Sequence, residues 1–487
     1  MALRVLTQIN YSAGQNPEGD SGLRFTLGLL GALVRADPDL HFYLLVPERH
    51  RGVWEELFRH ARITLLPIAL EPRLHGGDFQ FCPVRLAAAF DLRRYDVDLL
   101  LLNQPETAPA LLQFFNRQTF HHVPAISYLH WFDTRRPSTP KQTLHHPALL
   151  ATLSGLMAST AVGCNSAFGR DQILEYGRRW FNGESLDGLR RRIRLLPPGV
   201  DVRELLGTKR AAAGRGGRRV LVNHRLLKYT GVRGLLTNTL PNLWERRRDF
   251  TVVVTNPTGV SLPGSIVRAP WLQVKTLSRE EYLRELWRCD IVIGPHRACH
   301  WSMSTLEAIC AGCIPLMNRE SFFPELLAPL LATLGPATQR HVEDRWLYYR
   351  GELGARLSDL LDDLPGELRR AQRLAAVARE VYDWDTLALE WVRLFREAVE
   401  LIPSMPLNNP SMRRIADLLQ MKGKVNKAEV LRHLGWTPKQ RTLSWTAFRQ
   451  QLKQIASEDA NLAEAVFELA GSPKGGRRQA KRAARAR

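Results

Sequence analysis

The chain has 487 residues, room for two to four domains, and with 45% apolar and 24% charged residues it is too apolar for general disorder. No apolar run approaches the roughly 18 residues that span a bilayer, the first residues do not read as a signal peptide, and six cysteines make no disulfide scaffold in a chain this long. A cytoplasmic, reduced protein without integral membrane contact is expected, and a net charge of +20 points to a polyanionic partner.

In chain order, residues 4–9 read as a strand, 11–22 as a polar, glycine-containing loop, 23–34 as a helix and 41–46 as a second strand. Further strands are expected at 63–66, 97–102, 125–129, 161–164 and 193–196. Continuous apolar strands alternating with helices imply a parallel sheet covered on both faces. After a Gly- and Ala-rich linker near 205–218 the pattern restarts. Strands are expected at 219–223, 250–255, 266–268, 291–293 and 314–317, with helical sequence over 232–247. An amphipathic segment, 387–402, leads into a linker with three prolines, then to residues 411–470, which look all-helical. The last 17 residues hold seven basic and no acidic side chains and are expected to be disordered. The fold class is thus α/β, two doubly wound, Rossmann-like domains facing a cleft, plus a small all-helical C-terminal module. A cleft at the carboxyl ends of the strands is the expected ligand site.

Two segments of the second domain carry chemistry. His300, Trp301, Ser302, Met303, Ser304 and Thr305 form a polar turn opening a helix, whose free amides suit a diphosphate; Glu307, one turn in, suits ribose hydroxyls. Arg225 and Lys228 follow a strand end and suit phosphates, Arg225 as a fork and Lys228 as a point charge. The small residues Ala308, Ala311 and Gly312 are read as helix–strand packing. Cys310-Ala311-Gly312-Cys313 has metal-like spacing, but it straddles a helix end, so no metal is expected there.

Together, Leu306-Glu307-Ala308 with Ala311-Gly312 and Pro315, the segments 161–166 and 194–201, and Tyr382-Asp383-Trp384-Asp385 resemble the GT-B-fold glycosyltransferases of the retaining, family-4-like type, over residues 1–402. That resemblance implies a nucleotide-sugar donor, a UDP-sugar by analogy, and no other cofactor. It makes Arg225 the phosphate-binding arginine and Glu307 the ribose-binding glutamate. The companion lysine of the family falls on Thr230 here, with Lys228 as its shifted substitute. The family's upstream glutamate falls on Cys299, leaving His300 or Trp301 to line the donor-sugar space. Gly19 and Gly22, flanking Asp20, sit where the family's glycine-rich loop approaches the donor. His130, at a strand end, matches a histidine near the donor sugar. In a retaining enzyme a front-face mechanism is implied; in an inverting one Asp20 or Asp133 is the candidate general base.

The implied organisation is an acceptor-side domain over 1–205, a nucleotide-sugar domain over 206–380, a helix over 381–402 crossing back to the first domain, a helix-turn-helix-like module over 411–470 and a basic tail over 471–487. Residues 403–487 hold 17 basic and 6 acidic side chains, more than half of the excess charge. Arg413, Arg414, Lys422, Lys424, Lys427, Arg441, Arg449 and Lys453 are the candidate nucleic-acid contacts, a salt-sensitive, sequence-tolerant set. A soluble sugar transferase with such an appendage resembles the bacteriophage enzymes that glycosylate hydroxymethyluracil or hydroxymethylcytosine in double-stranded DNA, where the base must be flipped into the cleft. The alternatives are a transferase for a modified tRNA base, a peripheral-membrane polysaccharide transferase, and a DNA-binding regulator built on an inactive transferase fold.

Overall fold

The computed structural model describes residues 2–10, 20–48, 50–68, 95, 97–119, 123–132, 145–209, 217–226, 230–255, 262–296 and 300–401. Gly19, Asp133, Lys228 and everything from residue 402 onward, including the helical module, the basic tail and their candidate contacts, lie outside the described residues.

Seven strands build the first sheet: β1 (Leu3–Gln8), β2 (Leu40–Pro47), β3 (Ile63–Ile68), β4 (Leu99–Leu102), β5 (Ala125–Leu129), β6 (Ala161–Cys164) and β7 (Ile193–Leu195). All pairs are parallel, in the order β3-β2-β1-β4-β5-β6-β7. Six strands build the second: β8 (Arg219–Val222), β9 (Thr251–Val254), β10 (Leu272–Val274), β11 (Ile291–Gly294), β12 (Ile314–Asn318) and β13 (Leu347–Tyr348), in the order β10-β9-β8-β11-β12-β13. The central strands β4, β5, β6 and β11 are buried along their whole length, as both-face coverage requires. In each sheet the order reverses beside the first strand, between β1 and β4 and between β8 and β11. The chain leaves those strands in opposite directions there and opens a crevice at their carboxyl ends.

The helices that position the site are α1 (Ser21–Ala36), α2 (Ala167–Gly177), α3 (Gly183–Arg192), α4 (Val202–Gly207), α5 (Arg279–Arg288), α6 (Met303–Cys310), α7 (Phe323–Leu334) and α8 (Trp384–Leu401). Each lobe has its own apolar core. The last described helix, α8, belongs to the first lobe, where Trp384, Trp391 and Phe395 pack against Phe25, Tyr128 and the β4–β5 strands. The chain crosses between lobes twice, and the crossings pair in parallel at Val200 and Asp383. Gly28 lets α8 approach α1, since a Cβ there would lie 2.6 Å from Trp384 Cδ1.

One expected strand is overturned. Residues 266–268 belong to a helical turn, Gly264–Val267, and the strand comes later, at Leu272–Val274. Pro263 fixes the φ angle of the entry and starts the turn, and Val267 is exposed rather than paired.

Candidate functional site

In the second lobe the site grows from the carboxyl ends of β8 and β11 and the opening of α6. Ser302 is the N-cap of α6: its Oγ accepts the Thr305 amide at 3.2 Å and donates to Thr305 Oγ1 at 2.9 Å. That leaves the first amides of an eight-residue helix facing the crevice beside β8. His224, just past β8, lies with Nε2 3.2 Å from Thr305 Oγ1 and Nδ1 2.8 Å from His296 Nε2. Burial, and then the neighbouring His296, pull the His224 pKa well below the usual imidazole value, so His224 is uncharged near neutral pH.

Asn223, the next residue toward β8, is almost fully buried. Its Nδ2 donates to the Ser304 carbonyl at 2.7 Å and reaches Tyr282 Oη at 3.2 Å, which fixes the amide's orientation. Among the described residues its buried Oδ1 has no hydrogen-bond partner. A lone buried acceptor costs about 1–3 kcal/mol unless something completes it, and a ligand hydroxyl entering beside α6 would do so.

Glu307 lies on the next turn of α6. It is engaged by Arg279 at the start of α5, Nη1 to Oε1 at 2.7 Å. The same guanidinium forks onto Glu204 of α4, Nη2 to Oε2 at 2.7 Å and Nε to Oε1 at 3.1 Å. Burial alone would lower the Arg279 pKa; Glu307 and Glu204 outweigh it, so the guanidinium stays charged. These three side chains line a cavity of about 260 Å³ with Arg24, Gly28 and Trp384, between the lobes. Arg225 is half-buried at the same strand end, with its carbonyl accepting the Thr230 hydroxyl at 2.9 Å.

In the first lobe a chain of carboxamides crosses the ends of β1, β4, β5 and β6. Asn103 Nδ2 donates to the Gln8 carbonyl at 2.7 Å, leaving Oδ1 as acceptor for His130 Nε2 at 3.1 Å. His130 is therefore protonated on Nε2, and its Nδ1 carries a lone pair. Asn165 Nδ2 donates to the His130 carbonyl at 2.9 Å. The ring lies edge-on to Phe25 and Tyr128, with both centroids 4.6 Å away. Burial lowers its pKa to about 3, so this histidine is a hydrogen-bonding group rather than a proton carrier near neutral pH.

Asp20 is the N-cap of α1, accepting the Leu23 amide at 2.9 Å, and is buried. Its Oδ1 thereby holds the helix entry. Gly22 sits against Asn10, whose carbonyl oxygen would lie 2.7 Å from an added Cβ. His300 is buried between the lobes, with Nε2 2.8 Å from Gln172 Oε1 of α2. Beside it, Glu325 of α7 accepts the Ala167 and Phe168 amides at the opening of α2. Of the sequence candidates, Ser302, Ser304, Thr305 and Glu307 share α6 and its cap with Arg225 nearby; His130, Asp20 and Gly22 lie across the crevice on the first lobe; His300 is an interlobe contact.

Sequence reasoning singled out His130 but not its partners Asn103 and Asn165, nor Asn223 Oδ1, Tyr282, His296 or Arg279. Ser278, Glu280 and Glu281 around Arg279 form a capping box and acidic first turn that mark the start of α5. Nothing local to the sequence says that Arg279 meets Glu307. Among the described residues no cluster of three or more metal-ligating side chains occurs, and no helix is long and apolar enough to cross a membrane. Cys310 and Cys313 are buried packing residues, and Cys313 donates to the Leu286 and Cys289 carbonyls.

No protein-family model matches the chain. A stretch is 31% identical over 98 residues to the tRNA-queuosine alpha-mannosyltransferase of Drosophila melanogaster, covering 19% of this chain and about a quarter (26%) of that relative's length. Sucrose-phosphate synthase from Thermosynechococcus elongatus superposes with a TM-score of 0.60 at 13% identity, over 82% of this chain and 100% of that one. HepE from Anabaena, solved in complex with UDP-glucose, gives 0.53 at 14% over 83% and 100%. The α,α-trehalose 6-phosphate synthase of Burkholderia multivorans gives 0.55 at 15% over 82% and 100%. At these identities the likeness is one of architecture: the chain has the two-lobed GT-B fold.

Proposed function

We propose that the protein transfers a hexosyl group from a nucleotide sugar, a UDP-sugar by analogy with the HepE complex, to a hydroxyl on a modified base of a polynucleotide. The observation that carries the donor half is the buried, partnerless Asn223 Oδ1 beside the open amides of α6 and the Glu307 carboxylate. A ribose hydroxyl completes Asn223 or Glu307, and the departing diphosphate gathers charge against the α6 amides and Arg225. These groups are in place before the sugar–oxygen bond breaks and stabilise the charge as it develops. His130 accepts a hydroxyl hydrogen at Nδ1 and orients sugar or acceptor without taking the proton. The acceptor proton then leaves with the developing diphosphate, as a front-face transfer requires.

The polynucleotide half rests on charge. Its specific form is favoured by the 98-residue likeness to a tRNA-queuosine mannosyltransferase, which supports a modified tRNA base. A hydroxymethylated pyrimidine in double-stranded DNA is the second reading, motivated by the 17 basic residues after 402, where the proposed module over 411–470 and tail would grip phosphates. The test is incubation with a panel of nucleotide sugars and either unfractionated tRNA or hydroxymethyl-base DNA. Mass spectrometry of the digested nucleosides follows. A nucleoside heavier by one hexosyl unit in the tRNA arm supports the first form, and in the DNA arm the second. Transfer only to lipid or glycan acceptors rejects both.

A further inference from the structure

The first lobe carries an arginine-rich aromatic face outside the donor crevice. Trp180, just past α2, is 52% exposed and lies 6.4 Å from Tyr176, which is buried and meets the buried Phe132 edge-on at 5.4 Å. The Arg179 guanidinium lies 6.0 Å from the Tyr176 ring centre. A hollow of about 260 Å³ between α2 and α3 continues the face, with Phe181 and Leu186 in its wall and Arg178 and Arg190 among its lining residues. Arg190 and Arg191 end α3 and lead into β7, the edge strand of the sheet. Arg178 is paired with Glu175, and Asp187 lines the hollow, but Arg179, Arg190 and Arg191 have no carboxylate partner among the described residues.

Large aromatic rings in water cost free energy unless something covers them, and unpaired cations beside them attract phosphate. The one ligand class offering flat apolar faces and regular negative charge together is a polynucleotide with unstacked bases. The chain's own course agrees. Glu397 on the last helix lies 4.0 Å from Arg194 of β7, so the backbone leaves the described structure at Leu401, about one helical turn beyond this edge. The 17 basic residues that follow are tethered here.

We infer that this face is where the acceptor polynucleotide docks, as unpaired nucleotides stacking on Trp180 with their phosphates on Arg179, Arg190 and Arg191. The inference deepens the proposed function and rests on its polynucleotide acceptor.

The test uses the full chain and a fluorescein-labelled RNA hairpin with an unpaired loop, against a blunt duplex of the same length. Trp180→Ala is expected to weaken hairpin binding about tenfold, within the range for one lost base–aromatic stack, and to leave duplex binding unchanged. Arg179→Glu/Arg190→Glu is expected to flatten the salt dependence of hairpin binding by about two phosphate contacts. Arg340→Glu, an exposed second-lobe control, should do neither. Photo-cross-linking with 4-thiouridine in the loop should label the peptide holding Trp180. Hairpin affinity in Trp180→Ala and in the double variant equal to that of the Arg340→Glu control, cross-links confined to residues beyond 402, or a face that binds anionic phospholipid vesicles in preference to the hairpin would each overturn the inference. Donor hydrolysis, measured in parallel without nucleic acid, separates the two claims. Loss of hairpin binding with no sugar transfer to any nucleic acid leaves the face standing and removes the function. Transfer with unaltered binding does the reverse.

Discussion

Arg279→Met is the most informative single change. The wild-type guanidinium is only 16% exposed and holds two carboxylates, Glu307 (8% exposed) and Glu204 (35% exposed). Without it Glu307 is left as a buried charge with its cation gone, a loss of about 3–5 kcal/mol. Glu204 is a third exposed and adds at most about 1 kcal/mol. For a lobe of this size each kcal/mol moves the midpoint by about 2–4 °C, so calorimetry at pH 7.5 should show a drop of about 10 °C in the second-lobe transition. Arg279→Met/Glu307→Gln, which removes both charges, should recover most of it, although Glu307→Gln alone does not mimic the loss. The sign with pH is also set. The Glu204 pKa is raised by burial but lowered more by Arg279, so its folded value lies below its ordinary 4.5. Its contribution is present above 4.5 and fades as pH falls through the lowered value, so the gap between wild type and Arg279→Met should narrow below pH 4.5. A midpoint within about 2 °C of wild type, or a double variant no better than the single, would refute the clasp. UDP should protect wild type against heating and protect neither Arg279→Met nor Glu307→Gln.

The remaining predictions concern the first lobe and its contacts. Gly28→Ala forces a methyl into Trp384 and should destabilise the α1–α8 contact by about 1–3 kcal/mol, read as a lower first-lobe midpoint; no change would mean that α8 sits further from α1. His130, with a pKa near 3, should show no imidazole titration between pH 5 and 8 by NMR, and His130→Asn should keep the pH profile of transfer while lowering its rate; a titration near 6.5 would remove the tautomer assignment. Glu325→Ala leaves the Ala167 and Phe168 amides uncapped, a loss of about 1–2 kcal/mol, and their hydrogen exchange should accelerate while that of β1 does not.

The two lobes were legible because buried parallel strands are continuous apolar runs. Ala125–Leu129 and Ala161–Cys164 need no partner to be recognised. The segment 266–268 misled because three apolar-leaning residues fit a strand or a helical turn equally, and Pro263 decided it. The α6 opening could be read from its Ser302–Thr305 cap and following carboxylate, which are neighbours in sequence. The partners were not legible. Arg279 reaches Glu307 from another helix, His130 reads as a histidine until Asn103 fixes its proton, and Asn223 shows its vacant lone pair only when Tyr282 and Ser304 have claimed its amide. Such relations are set by which strand ends the topology makes adjacent.

The paired crossings at Val200 and Asp383 make a narrow axle between the lobes. Rotation about it can preserve both sheets, because among the described residues no ladder spans them, while every separation grows with radius. A few degrees at the axle becomes ångströms at the rim, enough to admit or release a nucleotide without melting either body. Any such rotation has to carry or break the contacts of Glu325 with the opening of α2 and of His300 with Gln172.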